Sequence, residues 1–76
     1  MKGKVFEITA YLMSVPVSSV DENSSPASLE KWDSLRHMKL ILAVEEIFNI
    51  QFTDEDIVSI KDIRGLLERL DAKHRK

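Results

Sequence analysis

The sequence predicts an all-α fold: a small four-helix bundle of three longer helices and one short one, with a long loop after the first helix. Three observations carry that expectation. Apolar residues recur at helical spacing in three stretches of the 76-residue chain, roughly 5–15, 35–48 and 63–70. Between them stand helix stops and starts: Pro16, a Ser-rich segment, and Thr53 followed by three acids. No competing strand pattern of alternating apolar and polar residues is present.

Each element can be justified in turn. Val5, Ile8, Leu12 and Val15 form one stripe, widened by Phe6 and Met13, so the first helix should run to about Ser14, with Pro16 ending it. From Val17 to Lys31 the chain is rich in turn formers: Ser18, Ser19, Asp21, Asn23, Ser24, Ser25, Pro26 and Ser28. A structureless loop of that length is uncommon in so small a domain, so Val17, Val20, Leu29 and Trp32 are expected to anchor it. The second helix should span Ser34 to about Phe48, with Leu35, Met38, Ile41, Val44 or Glu45, and Phe48 as its apolar stripe. Asn49 then leads into a short extended link, Ile50-Gln51-Phe52. Thr53 is a suitable N-cap for a third helix over Asp54 to Ser59, and Asp54, Glu55 and Asp56 complement the dipole of its first turn. The fourth helix should begin near Asp62, whose side chain can cap it, with Ile63, Leu66, Leu67 and Leu70 on one face. Gly65 inside it costs up to about 1 kcal/mol relative to alanine, which marks either tight packing or a tolerated weakness. Residues 1–76 form one domain, and 72–76, His74 included, are expected to fray.

Composition narrows the functional classes. With 43% hydrophobic and 32% charged residues the chain suits a globular core, and with no cysteine it can form neither disulfides nor thiolate metal sites. Its two histidines, His37 and His74, have no clustered partners, so no metal site is expected. No apolar run approaches membrane-spanning length, and Met1-Lys2-Gly3-Lys4 lacks the apolar run of a signal peptide, so a cytoplasmic location is expected. The net charge is −2. Arg64, Arg69, Lys73, Arg75 and Lys76 make a basic end that reads as a solvated helix terminus, and the acidic segment from Asp54 to Asp62 argues against nucleic acid.

The most informative residues are Asp33-Ser34-Leu35, where the polar loop meets the second helix. They put one serine hydroxyl at a helix start, directly after a carboxylate. The first-turn N–H groups lack intrahelical partners and that end of the helix is locally positive, so a phosphate on Ser34 would meet a favourable field. On the tripeptide alone, Asp33 or Ser34 as a simple helix cap is the plainer reading. A relay of Asp33, Ser34 and His37 lacks the oxyanion site and enclosing pocket that nucleophilic catalysis requires.

The order of elements, together with Asp33-Ser34-Leu35, resembles the acyl carrier proteins. The match runs from Asp33 to Leu70. It includes Met38, Leu40, Ile41, Ala43, Val44-Glu45-Glu46 and Phe48, then Ile50-Gln51-Phe52, Thr53-Asp54-Glu55-Asp56, Ile60, Ile63, Leu66, Leu67 and Leu70. The first 30 residues match in helix placement and loop length. The resemblance implies a non-catalytic carrier whose Ser34 receives 4′-phosphopantetheine from coenzyme A through a separate phosphopantetheinyl transferase. Acyl groups would ride as thioesters on the arm in fatty-acid, polyketide or other specialised biosynthesis. Asp33 would then cap the helix and Leu35 would point inward and lock its start.

The resemblance also implies a monomer that docks, without nucleic acid or membrane, on its transferase, on an acyl-loading ligase or transferase, and on downstream enzymes. Glu45, Glu46, Asp54, Glu55 and Asp56 match the family's acidic docking residues, with His37 as a further docking candidate. Arg36 and Lys39 depart from the pattern, because familiar fatty-acid carriers have acids there. The departure points to a specialised member. Val44, Phe48, Phe52, Ile57, Ile60 and Ile63 are first of all core, and match the region that opens to admit an acyl chain in carriers that sequester cargo. Trp32 is expected to anchor the loop, with an exposed partner contact beside the prosthetic group as the alternative. An unmodified helical adaptor, and a stand-alone peptidyl or aminoacyl carrier, are the alternatives.

Overall fold

The computed structural model describes residues 2–74. Among them lie four α-helices and no strand: α1 (Lys2–Met13), α2 (Ser34–Phe48), α3 (Asp54–Ser59) and α4 (Ile63–His74), with one 3-10 turn at Val17–Ser19 in the long first loop. This is the all-α architecture expected from the sequence.

The helix ends have local causes. After Met13, Ser14 adopts a left-handed conformation (φ 58°), and Val15 N–H donates back to the Ala10 carbonyl at 3.0 Å. Asn49 does the same after α2 (φ 55°), and both its N–H and that of Ile50 reach the Glu45 carbonyl. Such left-handed ends satisfy carbonyls that have no partner within the helix. Asparagine tolerates the conformation better than most residues, which is why the chain turns there. α3 opens with a full capping box: Thr53 Oγ1 accepts from Asp56 N–H and Asp56 Oδ2 accepts from Thr53 N–H, both at 3.0 Å.

The core is built by Val5 and Met13 from α1, Leu40, Ile41 and Val44 from α2, and Ile63, Leu66 and Leu70 from α4, all without solvent exposure. Burying each such side chain stabilises the fold by about 1.5–3 kcal/mol before chain entropy is counted. Thr9, also in this layer, donates its hydroxyl to the Val5 carbonyl at 2.8 Å and so carries no unpaired polar atom into the core.

The long loop is structural. Val20, Leu29 and Trp32 are buried as anchors, whereas Val17, expected among them, is exposed because its 3-10 turn lies on the surface. Asp21 N–H donates to the buried Ser24 Oγ at 2.9 Å. The carbonyls of Ser24 and Glu22 then accept from Ile63 and Arg64 N–H, each at 2.9 Å. With Asp62 Oδ1 accepting from Gly65 N–H at 2.7 Å, the first donors of α4 are all satisfied from outside the helix. The loop therefore fixes where α4 begins.

Two further expectations are corrected. The stripe Leu35, Met38, Ile41, Val44 does not all face the core, because Leu35 is 63% exposed and Met38 is also exposed. A helix advances about 100° per residue, so each step of three falls about 60° short of a full turn, and Leu35 lies on the opposite side from Val44. Leu40, Ile41 and Val44 define the buried face instead. The chain from 72 to 74 continues α4, and the His74 ring packs edge-on against Phe48 at 5.9 Å. Arg75 and Lys76, the rest of the stretch expected to fray, lie outside the described residues. The other cations of the basic end have internal partners: Arg64 pairs with Glu22, and Arg69 and Lys73 with Asp56.

Candidate functional site at the start of α2

Ser34 is the first residue of α2 and is exposed. Asp33 precedes it in extended conformation, and its Oδ1 accepts from Arg36 N–H at 2.9 Å. Its other oxygen lies 3.5 Å from Arg36 Nη1. Asp33 is thus the cap, and Arg36 offsets its charge. The cap leaves the Ser34 hydroxyl without a partner among the described residues, directed by a fixed helix start and set in that helix's positive field.

Arg36 has a second task. Its Nε donates to the Leu12 carbonyl at 3.1 Å, in the last turn of α1, where carbonyls lack helical partners. Arg36, expected on a docking surface, is instead tied to α1 and Asp33, holding the start of α2 against the end of the first helix.

His37 links three elements. The Trp32 Nε1–H donates to His37 Nδ1 at 3.0 Å, and the two rings stack at 6.0 Å. That acceptor role leaves the ring proton on Nε2, which donates to the Ile57 carbonyl at 3.0 Å. Ile57 lies near the end of α3, where carbonyls again lack helical partners. Both ring nitrogens are therefore engaged away from Ser34, and Asp33 is engaged with Arg36. The three residues do not assemble a nucleophile relay.

Beside Ser34 runs an open groove of about 600 Å³, whose walls include Trp32, His37, Met38, Ile57 and Val58, with Lys61 also lining it. Of the six residues expected to form one acyl pocket, Ile57 and Ile60 line this groove. Val44, Phe52 and Ile63 are packed in the core, and Phe48 lines a separate depression near the opposite end of α2. The set divides because these residues come from α2, the extended link, α3 and α4, and face the core, the groove or the far depression, a separation their sequence spacing does not show. The groove's wall also includes Met38 and Val58, which the sequence does not single out as site residues. Tryptophan one residue before the cap was their only signal.

The expected acidic docking set also divides. Glu45 accepts from Phe52 N–H at 2.8 Å and ties the extended link to α2. Asp56 is largely buried, and binds Arg69 at 2.7 Å and Lys73 at 3.1 Å. The Thr53 backbone N–H, then the Lys73 ammonium, hold its carboxyl far below the usual carboxylate range. Glu46, Asp54 and Glu55 remain exposed. Leu35, expected to point inward, is instead on the surface beside Ser34.

Among known proteins, no family model matches the chain. It is 27% identical over 76 residues to an acyl carrier protein of Buchnera aphidicola subsp. Schizaphis graminum, covering all of this chain and 96% of that protein. The fold is similar to the solution structure of holo acyl carrier protein from Geobacter metallireducens, with a TM-score of 0.83 at 24% identity, over 95% of this chain and 83% of that one. The helix order, the Asp33-Ser34-Leu35 start of α2 and a similarity that spans the whole sequence make this chain similar to the acyl carrier proteins in sequence and in fold.

Proposed function

We propose that the protein carries acyl groups as thioesters on a 4′-phosphopantetheine arm attached to Ser34. The observation that carries this reading is the exposed, unpartnered Ser34 hydroxyl at the capped start of α2, beside an open and largely apolar groove. The residues present fit such a group. Ser34 would hold it, the first-turn N–H groups of α2 favour the phosphate's charge, and Arg36 offsets the neighbouring Asp33 carboxylate. When bound, the group supplies a terminal thiol to a chain that has no cysteine of its own. The protein's task is presentation: a fixed helix start, a free hydroxyl and a surface for partners. Its serine needs no intrinsic activation, because a separate phosphopantetheinyl transferase would bring the base and metal.

Lys39, one turn into α2, supports a carrier specialised for a dedicated pathway, since it replaces an acid with a cation on the helix that partners would meet. Coexpression with a broad-specificity phosphopantetheinyl transferase, followed by intact mass measurement, tests the reading. A gain of one phosphopantetheine, abolished by Ser34→Ala, is expected. No gain with several transferases would leave the unmodified adaptor as the better reading.

A further inference from the structure

The charges around Ser34 are arranged differently from those at the far end of α2. Lys31, Lys39 and Lys61 are exposed and form no ion pair with any described residue. Lys61 lines the groove with Ser34, Lys31 stands three residues before it, and Lys39 follows Leu35 by one turn. Leu35, Met38 and Leu42 lie exposed at i, i+3, i+7 spacing along α2, and exposed Val58 lines the groove with Met38. Asp33 is neutralised by Arg36, so Glu30 is the one exposed, unpaired acid in this part of the chain.

The free acids lie elsewhere. α3 runs back along α2, since Phe52 N–H binds Glu45 near the end of α2 and the Ile57 carbonyl binds His37 near its start. Asp54 and Glu55, at the start of α3, therefore sit beside Glu46 in the last turn of α2, away from Ser34. The surface has a basic, apolar end at the serine and an acidic end opposite.

We infer that the enzyme face approaching Ser34 presents carboxylates around an apolar socket, with Lys31, Lys39 and Lys61 facing the carboxylates and Leu35 and Met38 entering the socket. The inference rests on the carrier reading of Ser34 and adds the sign and chemistry of the partner. Charge complementarity of this kind acts mainly on the rate of encounter, is screened by salt, and penalises partners of the same sign.

The test uses a partner of the wrong sign, a broad-specificity phosphopantetheinyl transferase whose active-site mouth is lined by Lys and Arg. Against it the wild-type kcat/KM should rise with added salt. The triple variant Lys31→Glu, Lys39→Glu, Lys61→Glu should be modified about tenfold faster and lose that advantage as salt is added. Glu46→Lys with Glu55→Lys, at the far end, should change the rate by less than about twofold. A triple variant no faster than wild type overturns the inference alone, while no mass gain in any variant overturns the carrier reading with it. Sedimentation with anionic phospholipid vesicles, or self-association lost in Lys39→Glu, would assign the patch to a membrane or a second copy and overturn it as well.

Discussion

Replacing His37 with alanine should destabilise the protein by about 2–3 kcal/mol, although the residue is only half-buried and lies next to an exposed serine. Trp32 is 4% exposed, and its indole N–H has His37 Nδ1 as partner at 3.0 Å. Removing the imidazole strands that buried donor, which costs about 1–3 kcal/mol. The Ile57 carbonyl loses its bond as well, but water can reach it, so about 0.5 kcal/mol is the appropriate addition. In a domain of this size each kcal/mol moves Tm by about 4–8 °C, so a fall of about 10–20 °C is expected. Urea unfolding followed by Trp32 emission reports it directly, because this is the chain's sole tryptophan.

A double-mutant cycle isolates the cause. Trp32→Phe removes the donor, so His37→Ala in that background should cost about 1–2 kcal/mol less, as read by far-UV circular dichroism. A loss below about 0.5 kcal/mol, or the same loss in both backgrounds, would refute the reasoning.

The remaining predictions concern stability elsewhere in the chain. Asp56 has its folded pKa depressed from the ordinary 3.8, first by the Thr53 backbone N–H and then by Lys73, so its contribution is fully present above pH 3.8 and is lost as pH falls below that value toward the folded pKa. Asp56→Asn should therefore be less stable by about 1–2 kcal/mol near neutrality and flatter in acid, which thermal melts from pH 7 downward would check. In α4, Gly65→Ala should change stability by less than about 0.5 kcal/mol, because a gain of up to about 1 kcal/mol in helix propensity meets an opposing loss. A Cβ there would stand 3.1 Å from Asp62 Oδ1, the cap oxygen, and would push it aside. A melting temperature raised by the full propensity gain would show that the Asp62 contact yields freely.

Much of the site was legible because its signals are local. Asp33 caps the helix it precedes, Thr53 and Asp56 close a capping box within four residues, and Asn49 ends α2 in the left-handed conformation its side chain tolerates. Leu35, expected inward, lies outside because a chain of i, i+3 steps drifts around the helix, and only packing decides which part of the spiral is buried. Arg36, His37, Glu45 and Asp56 read as docking residues because charge and position along a helix are visible in sequence. Their partners, Leu12, Ile57, Phe52 and Arg69, come from other elements.

The sequence by itself determined the four helices, their caps and the serine that opens α2, since each depends on residues within a turn or two of one another. Only the tertiary structure decided which charged groups are free to meet a partner. That question turns on contacts across the bundle: Arg36 to α1, His37 to α3, Glu45 to the extended link, and Asp56 to α4. Once those contacts form, the lysines around Ser34 are left unpaired, while Glu45 and Asp56 of the five expected docking acids are bonded inward. Side-chain periodicity carries no information about which distant backbone atom a charge will find, because that distance is set by how the helices pack.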